Sequence, residues 1–210
     1  MRLTAGVRRA TLPVTTFVQA ASSAAVIGPT VAAPLLLERL QLPTAAVGVF
    51  MALVYLGAML ATQVGAFVVR RAGPIRASQL ALLASGLGLL LLSTPLLPLV
   101  ALGAWVIGLG YGPITPASSQ MLSRTTAARH FALVFSIKQT GVPLGGVIAG
   151  LLVPPLAGLG GGPQGGAIAL WGLAALCVLA AASALPLAAA LDAERDAGSP
   201  WPRPAQMLEP

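Results

Sequence analysis

Charge is what this sequence has least of, and its scarcity decides the class of protein. Charged residues make up 8% of the 210 residues and hydrophobic residues 57%, whereas a soluble domain carries roughly 25% charged residues. So little charge cannot cover a surface that faces water, which indicates an integral membrane protein. The apolar runs lack the period-two alternation of an outer-membrane barrel, so the spans are predicted to be helices.

Residues that build enzyme sites are also nearly missing. Cys177 is the single cysteine, which excludes a disulfide within the chain, and His130 is the single histidine, which leaves no cluster of metal ligands. No aspartate or glutamate lies inside an apolar run, so this chain alone cannot build a carboxylate proton relay. We therefore predict no enzyme activity, no metal and no cofactor. The net charge of +7 comes from scattered arginines without interleaved aromatics, which argues against a nucleic-acid partner.

What the sequence does have is six apolar segments long enough to cross a lipid bilayer, which takes about 20 residues. The predicted spans are Val14–Leu37, Ala45–Val69, Ser78–Leu97, Leu99–Leu122, Leu133–Ala157 and Gly166–Leu191. The predicted organisation is a cytoplasmic N-terminal segment over 1–13, a transmembrane domain over 14–191 and a polar, proline-rich cytoplasmic linker or tail over 192–210.

The arginines predict the orientation of these spans. If the N-terminus is inside, ten arginines fall in inner segments and only Arg39 in an outer one. The ten are Arg2, Arg8, Arg9, Arg70, Arg71, Arg76, Arg124, Arg129, Arg195 and Arg203. Positive residues concentrate on the cytoplasmic side, so both termini are expected in the cytoplasm and the protein in the inner membrane.

Polar residues inside the spans predict where a wet path could lie. At 100° per residue, the polar residues of span one fall within about 60° of Gln19; they are Thr15, Thr16, Gln19, Ser22, Ser23 and Thr30. On span four, Tyr111, Thr115 and Ser118 share a face. These stripes either face a cavity or bond their own helices, as serine and threonine commonly do in membrane bundles.

Lys138 is the one charge within the predicted fifth span. Gly141, Gly145 and Ala149 lie within about 60° of it, which places it on the face where another helix or a cavity must lie. Two interpretations are open. The lysine could extend to the inner headgroups, as lysines near span ends do, or it could face a central path and attract an anionic substrate.

Three stretches of the chain resemble the N-terminal six-helix half of a major facilitator superfamily transporter. They are GAFVVRRAGPIR after span two, GLGYGPITPASSQMLSRTTAARHF on span four and the next loop, and FSIKQTGVPLGG on span five. The resemblance covers about residues 12–192. The first stretch is similar to the family's gating loop, G-x-x-x-D-R-x-G-R-R, with a one-residue shift and no aspartate. The matching residues are Gly65, Arg70, Arg71, Gly73 and Arg76. The third stretch is similar to the family's G-P-x-x-G-G.

This resemblance implies an all-α fold of six transmembrane helices, built as a 3+3 inverted repeat and forming half of a twelve-helix transporter. It implies a cavity lined by spans one and four, a seam along spans two and five, and alternating access by rocking of two halves. A faint repeat agrees with it, because IGPTVAAP over 27–34 and YGPITPAS over 111–118 occupy equivalent spans. We expect the chain to be a truncated half that lacks its C-terminal half, with a half-size transporter acting as a homodimer as the alternative.

The function predicted from the sequence is secondary transport of a small anionic solute. Lys138 supplies attraction and the other residues supply orienting hydrogen bonds. The predicted substrate site consists of Lys138, Gln139, Tyr111, Thr115, Gln19, Ser23 and Thr30. The alternative from a different class is a non-transporting fragment or membrane scaffold.

Overall fold

The structure, a computed structural model, describes residues 4–193 apart from the side chain of Pro163. From residue 194 onward the predicted tail, with Arg195 and Arg203, lies outside the described residues, as does Arg2. Residues 4–193 form ten α-helices and one short 3-10 helix, Gly162–Gln164. The α-helices are α1 Ala5–Val31, α2 Ala33–Leu40, α3 Ala46–Ala72, α4 Pro74–Leu92, α5 Leu97–Tyr111, α6 Ile114–Thr125, α7 Ala128–Gln139, α8 Gly141–Gly160, α9 Gly165–Ser183 and α10 Leu185–Leu191.

Within this described part, six helical segments are long and apolar enough to cross a membrane, which agrees with the six predicted spans. They are α1, α3, α4, α5 with α6, α7 with α8, and α9. We number these spans one to six. The fold is therefore an all-helical, multi-pass membrane domain.

The helix ends differ from the predicted span ends because hydropathy marks the apolar part of a helix and not where the helix begins. Span one begins at Ala5, where the Thr4 hydroxyl accepts a hydrogen bond from the Val7 N–H at 3.4 Å. It ends at Val31, before Pro34 at the start of α2. Spans four and five are each broken, at Gly112–Pro113 and at Thr140.

The packing order is consistent with the predicted 3+3 repeat. Span one packs mainly against span five, and its counterpart span four packs strongly against span two. Spans three and six pack against each other, and spans one and four meet in the middle. Gly88 of α4 and Gly103 of α5 let two backbones meet, since a Cβ on either would lie within 2.7 Å of the other's carbonyl oxygen.

Spans two and five are the least covered by the rest of the domain. Both spans carry large apolar side chains that are exposed, including Tyr55 and Met59 on α3 and Leu151 on α8, which is 71% exposed. Span one is the most enclosed, with every residue from Val18 to Val26 buried. The domain thus has an enclosed middle and two flanks open to lipid or to another protein surface.

Candidate functional site

The fifth span is interrupted immediately after Lys138. Helix α7 ends at Gln139, α8 begins at Gly141, and Thr140 lies between them. Pro143 has no N–H, so the Gln139 carbonyl loses the partner that a continuous helix would give it. At the break, the Thr140 hydroxyl donates to the Ile137 carbonyl at 2.6 Å. The break places Lys138 in the last turn of α7, beside the Gln139 carbonyl that has lost its helical partner.

Lys138, the only lysine in the chain, is completely buried, with 0% of its surface exposed. Its Nζ donates to Gln139 Oε1 at 2.9 Å and lies 5.4 Å from the centre of the Phe135 ring. A cation attracts an aromatic face at this distance, but both partners are neutral. Between residues 4 and 193 the acids are Glu38 and Asp192, each at the end of a helix.

Helix α1 packs against Gly141 and Gly145, the glycines that the sequence predicts to share a face with Lys138. A Cβ on Gly141 would come within 2.7 Å of the Thr16 carbonyl oxygen and would also meet the Gln19 side chain. A Cβ on Gly145 would lie 2.5 Å from the Ala20 carbonyl oxygen and 2.6 Å from the Ser23 Cβ. Only glycine permits this approach, and it brings the residues beside Lys138 against the polar stripe of α1.

Two polar atoms of this stripe have no partner among the described residues. Gln19 and Ser22 are buried, and neither Gln19 Oε1 nor Ser22 Oγ makes a hydrogen bond there. The Gln19 amide donates to Ser23 Oγ at 3.5 Å, which is a weak contact. Leaving a buried acceptor unpaired costs about 1–3 kcal/mol. The stripe therefore keeps unused hydrogen-bonding capacity at the level where α8 packs.

The other hydroxyls of the stripe bond their own helix. Thr15 and Thr16 both donate to the Leu12 carbonyl, at 3.0 and 2.9 Å, and Thr30 donates to the Ile27 carbonyl at 2.6 Å. On span four Ser118 does the same, to Ile114 at 2.8 Å. These hydroxyls therefore follow the alternative in which the stripes bond their own helices. Gln19, Ser22 and Ser23 do not follow it.

The seven residues predicted for the substrate site separate into groups. Gln19 and Ser23 of α1 lie against Gly141 and Gly145, which follow Lys138 and Gln139 closely along the fifth span. Thr30 instead lines a small apolar pocket near the other end of span one, together with Pro29 and Phe50.

On span four, Tyr111 is the last residue of α5 and packs against the apolar core, whereas Thr115 on α6 is exposed. Their hydroxyls are not among the polar contacts that hold Lys138. The set that the structure brings together is therefore narrower than the set predicted.

The residues of the predicted gating loop lie at the junction of α3 and α4. Gly65 is buried against Pro113 and Pro116 at the break of span four. Arg70 and Arg71 are exposed in the last turn of α3, and Arg76 is exposed in the first turn of α4. Gly73 links the helices with a φ of +91°, a conformation that suits glycine.

An aspartate does contact this loop, but it comes from a distant part of the sequence. Asp192 follows α10, and its Oδ1 and Oδ2 accept hydrogen bonds from the Ile75 and Arg76 N–H groups at 2.8 and 3.2 Å. The sequence alone predicts Asp192 to be the first residue of the tail. The Gly-Pro pair at 73–74 predicts a helix start, yet no local signal shows which distant residue caps it.

Comparison with protein families agrees with this architecture. The model of the Major Facilitator Superfamily matches residues 14–208, which is most of the chain. None of the curated proteins matches it.

Proposed function

The chain belongs to the major facilitator superfamily of membrane transporters, and on that premise we propose that it carries a small anionic solute across the inner membrane by alternating access. The anion would bind between Lys138 and Gln139 at the end of α7 and Gln19 and Ser23 on α1. Lys138 would attract it, and the three uncharged side chains would orient it by hydrogen bonds.

The observation that carries this proposal is the setting of Lys138. It is fully buried, and its contacts are one amide oxygen and one aromatic ring. A charge at such a depth is costly unless an opposite charge meets it, and the nearby spans offer no acid. A substrate anion would be that counter-charge, and Gln19 Oε1 would accept a hydrogen bond from a hydroxyl group of an anion that carries one, such as lactate.

The competing interpretation, that Lys138 extends to the headgroups, fits the structure less well. A lysine that reaches the interface keeps its ammonium group exposed, whereas no part of Lys138 is exposed. Its Nζ is turned toward the side chain of the next residue, Gln139, at the helix break. The geometry therefore favours a role inside the domain.

We also propose that a second six-helix unit covers the open flanks of spans two and five. It would be either the C-terminal half of a longer transporter or a second copy of this chain. The exposed apolar side chains of Tyr55, Met59 and Leu151 support this, as does the exposed polar Gln63 one turn after Met59 on α3. The arginine-rich end of the domain, with Arg8, Arg9, Arg70, Arg71, Arg76, Arg124 and Arg129, would face the cytoplasm.

Exchange of labelled anions tests the proposal. The protein produced from its complete gene is reconstituted into liposomes loaded with lactate, succinate, phosphate or sulfate, and entry of the same labelled anion is measured. We expect one anion to exchange at least tenfold faster than in liposomes carrying Lys138→Met, while glycerol is not exchanged. Equal rates for the two proteins would refute the role of Lys138, and no exchange of any anion would favour a membrane scaffold.

A further inference from the structure

The carboxylate of Asp192 closes the open N-terminal end of α4. The first turn of a helix has N–H groups without helical partners, and the helix dipole makes that end positive. Asp192 accepts from two of these groups, Ile75 and Arg76, with one oxygen each. Although it lies at the end of α10, it is only 4% exposed. One side chain thereby joins the start of span three to the end of the helix that follows span six.

The loop between spans two and three is shaped to receive this carboxylate. At Gly73 any Cβ would collide with the Asp192 side chain, so the missing side chain is what makes room for it. Pro74 follows as the first residue of α4 and has no N–H to satisfy. The carboxylate therefore meets the next two N–H groups, which are the ones that need an acceptor.

Two arginines extend the contact to the other spans. Arg124, in the last turn of α6, donates to the carbonyl of Leu191, the last residue of α10, at 2.8 Å. Arg8 of α1 donates to the carbonyl of Thr125, the last residue of α6, at 3.1 Å. In each case the positive arginine contacts the C-terminal end of a helix, which carries negative partial charge. The contacts connect spans one, four, six and three in that order.

We propose that Asp192 is a positioning residue for transport, which supplies from span six the carboxylate that the gating loop itself lacks. It fixes the backbone at Gly73–Arg76 and thereby sets where Arg70, Arg71 and Arg76 stand on the arginine-rich end. The loop and the end of span six then move as one body when the domain changes conformation. Without Asp192 the backbone of the loop becomes more mobile, although the sequence of the loop is unchanged.

Spin labels on the loop test this inference without any substrate. In a Cys177→Ala background, one label is placed at Arg70→Cys on the loop side and another, in a separate protein, at Gln41→Cys near the opposite end. Each is combined with native Asp192, with Asp192→Asn or with Asp192→Ala. Hydrogen exchange of the peptide containing Ile75 and Arg76 is measured in the same proteins reconstituted in nanodiscs.

We expect Asp192→Ala to raise the mobility of the label at residue 70 and to speed exchange around Ile75 at least tenfold, while the label at residue 41 stays unchanged. Asp192→Asn keeps one oxygen acceptor without the charge, so its effect should be intermediate. Because asparagine is nearly the same size, it gives an answer even where the alanine variant fails to fold.

Two results would overturn the inference. In one, the label at residue 70 is as ordered in both variants as in the native protein. In the other, labels at residues 70 and 41 loosen together, which would mean that Asp192 stabilises the whole domain and does not position the loop. Neither result depends on the identity of the substrate, so the proposal of anion transport stands or falls separately.

Discussion

Among the described residues, two charged side chains are buried, Asp192 and Lys138, and their surroundings differ sharply. Asp192 lies at a helix end, where two backbone N–H groups with no helical partner bind its carboxylate. Lys138 lies at a break within a span, where it binds one side-chain amide and faces one aromatic ring. The first charge is matched by fixed dipoles of the fold, and the second meets only neutral side chains.

We propose that the difference separates a charge that holds one helix end in place from a charge that binds the transported anion. Helix ends carry partial charges that offset a buried ion at a fixed place, so Asp192 stabilises the fold as it stands. The contacts of Lys138 are weaker than an ion pair, and a buried ion in that state is destabilising.

The largest expected effect comes from removing the unmatched charge. Lys138→Met replaces the ammonium with an apolar side chain of similar length and should reduce anion exchange at least tenfold. Its melting temperature in detergent should equal or exceed that of the native protein, because replacing a buried ion by a well-packed apolar group is often neutral or stabilising by about 1–4 kcal/mol. If Lys138→Met lost stability and kept its exchange rate, Lys138 would serve the fold and not the binding of an anion.

The next effect comes from forcing α1 and α8 apart without changing any charge. Gly145→Val places carbon atoms where the Ala20 carbonyl and Ser23 already lie, and such overpacking costs about 1–3 kcal/mol. We expect a lower melting temperature and slower exchange. Gly150→Ala is the matched control, because nothing lies within 4 Å of a Cβ there. Equal melting temperatures for the two variants would contradict the close contact between α1 and α8 at Gly145.

A smaller effect is expected when the matched charge is removed. Asp192→Ala leaves the first turn of α4 without its acceptor, and loss of a helix cap costs about 1 kcal/mol. The melting temperature should fall, in contrast to that of Lys138→Met. Glu38→Gln, at the opposite end of the domain, controls for loss of any acidic group and should leave the melting temperature unchanged. A rise in the melting temperature of Asp192→Ala would remove the distinction between the two charges.

The smallest effect is expected at Thr30. Its hydroxyl already bonds the Ile27 carbonyl, and it lies in an apolar pocket away from Lys138. Thr30→Val should therefore change anion exchange less than twofold, whereas Gln19→Leu should change it more. A loss in Thr30→Val as large as in Gln19→Leu would extend the site along the whole stripe, as the sequence alone suggested.

The sequence predicted the membrane class, the six spans and the family, because these depend on composition, run length and short motifs. It also placed Lys138 on the glycine face by helical phase. It could not show that α1 fills that face, since packing partners come from tertiary contacts. Nor could it show that Asp192 reaches Ile75, because a contact between residues this far apart in sequence leaves no local pattern.

The position of Lys138 also permits the most direct test of the account. Because it is the only lysine of these 210 residues, protein labelled with ¹⁵N at the lysine side chain is compared with Lys138→Met, and the resonance that the variant lacks is that of Lys138. We predict that this resonance, recorded in nanodiscs, shifts saturably with the anion that the protein exchanges and is unmoved by glycerol. If the protein exchanges an anion while the Lys138 resonance stays in place at saturating concentration, the substrate does not bind at Lys138.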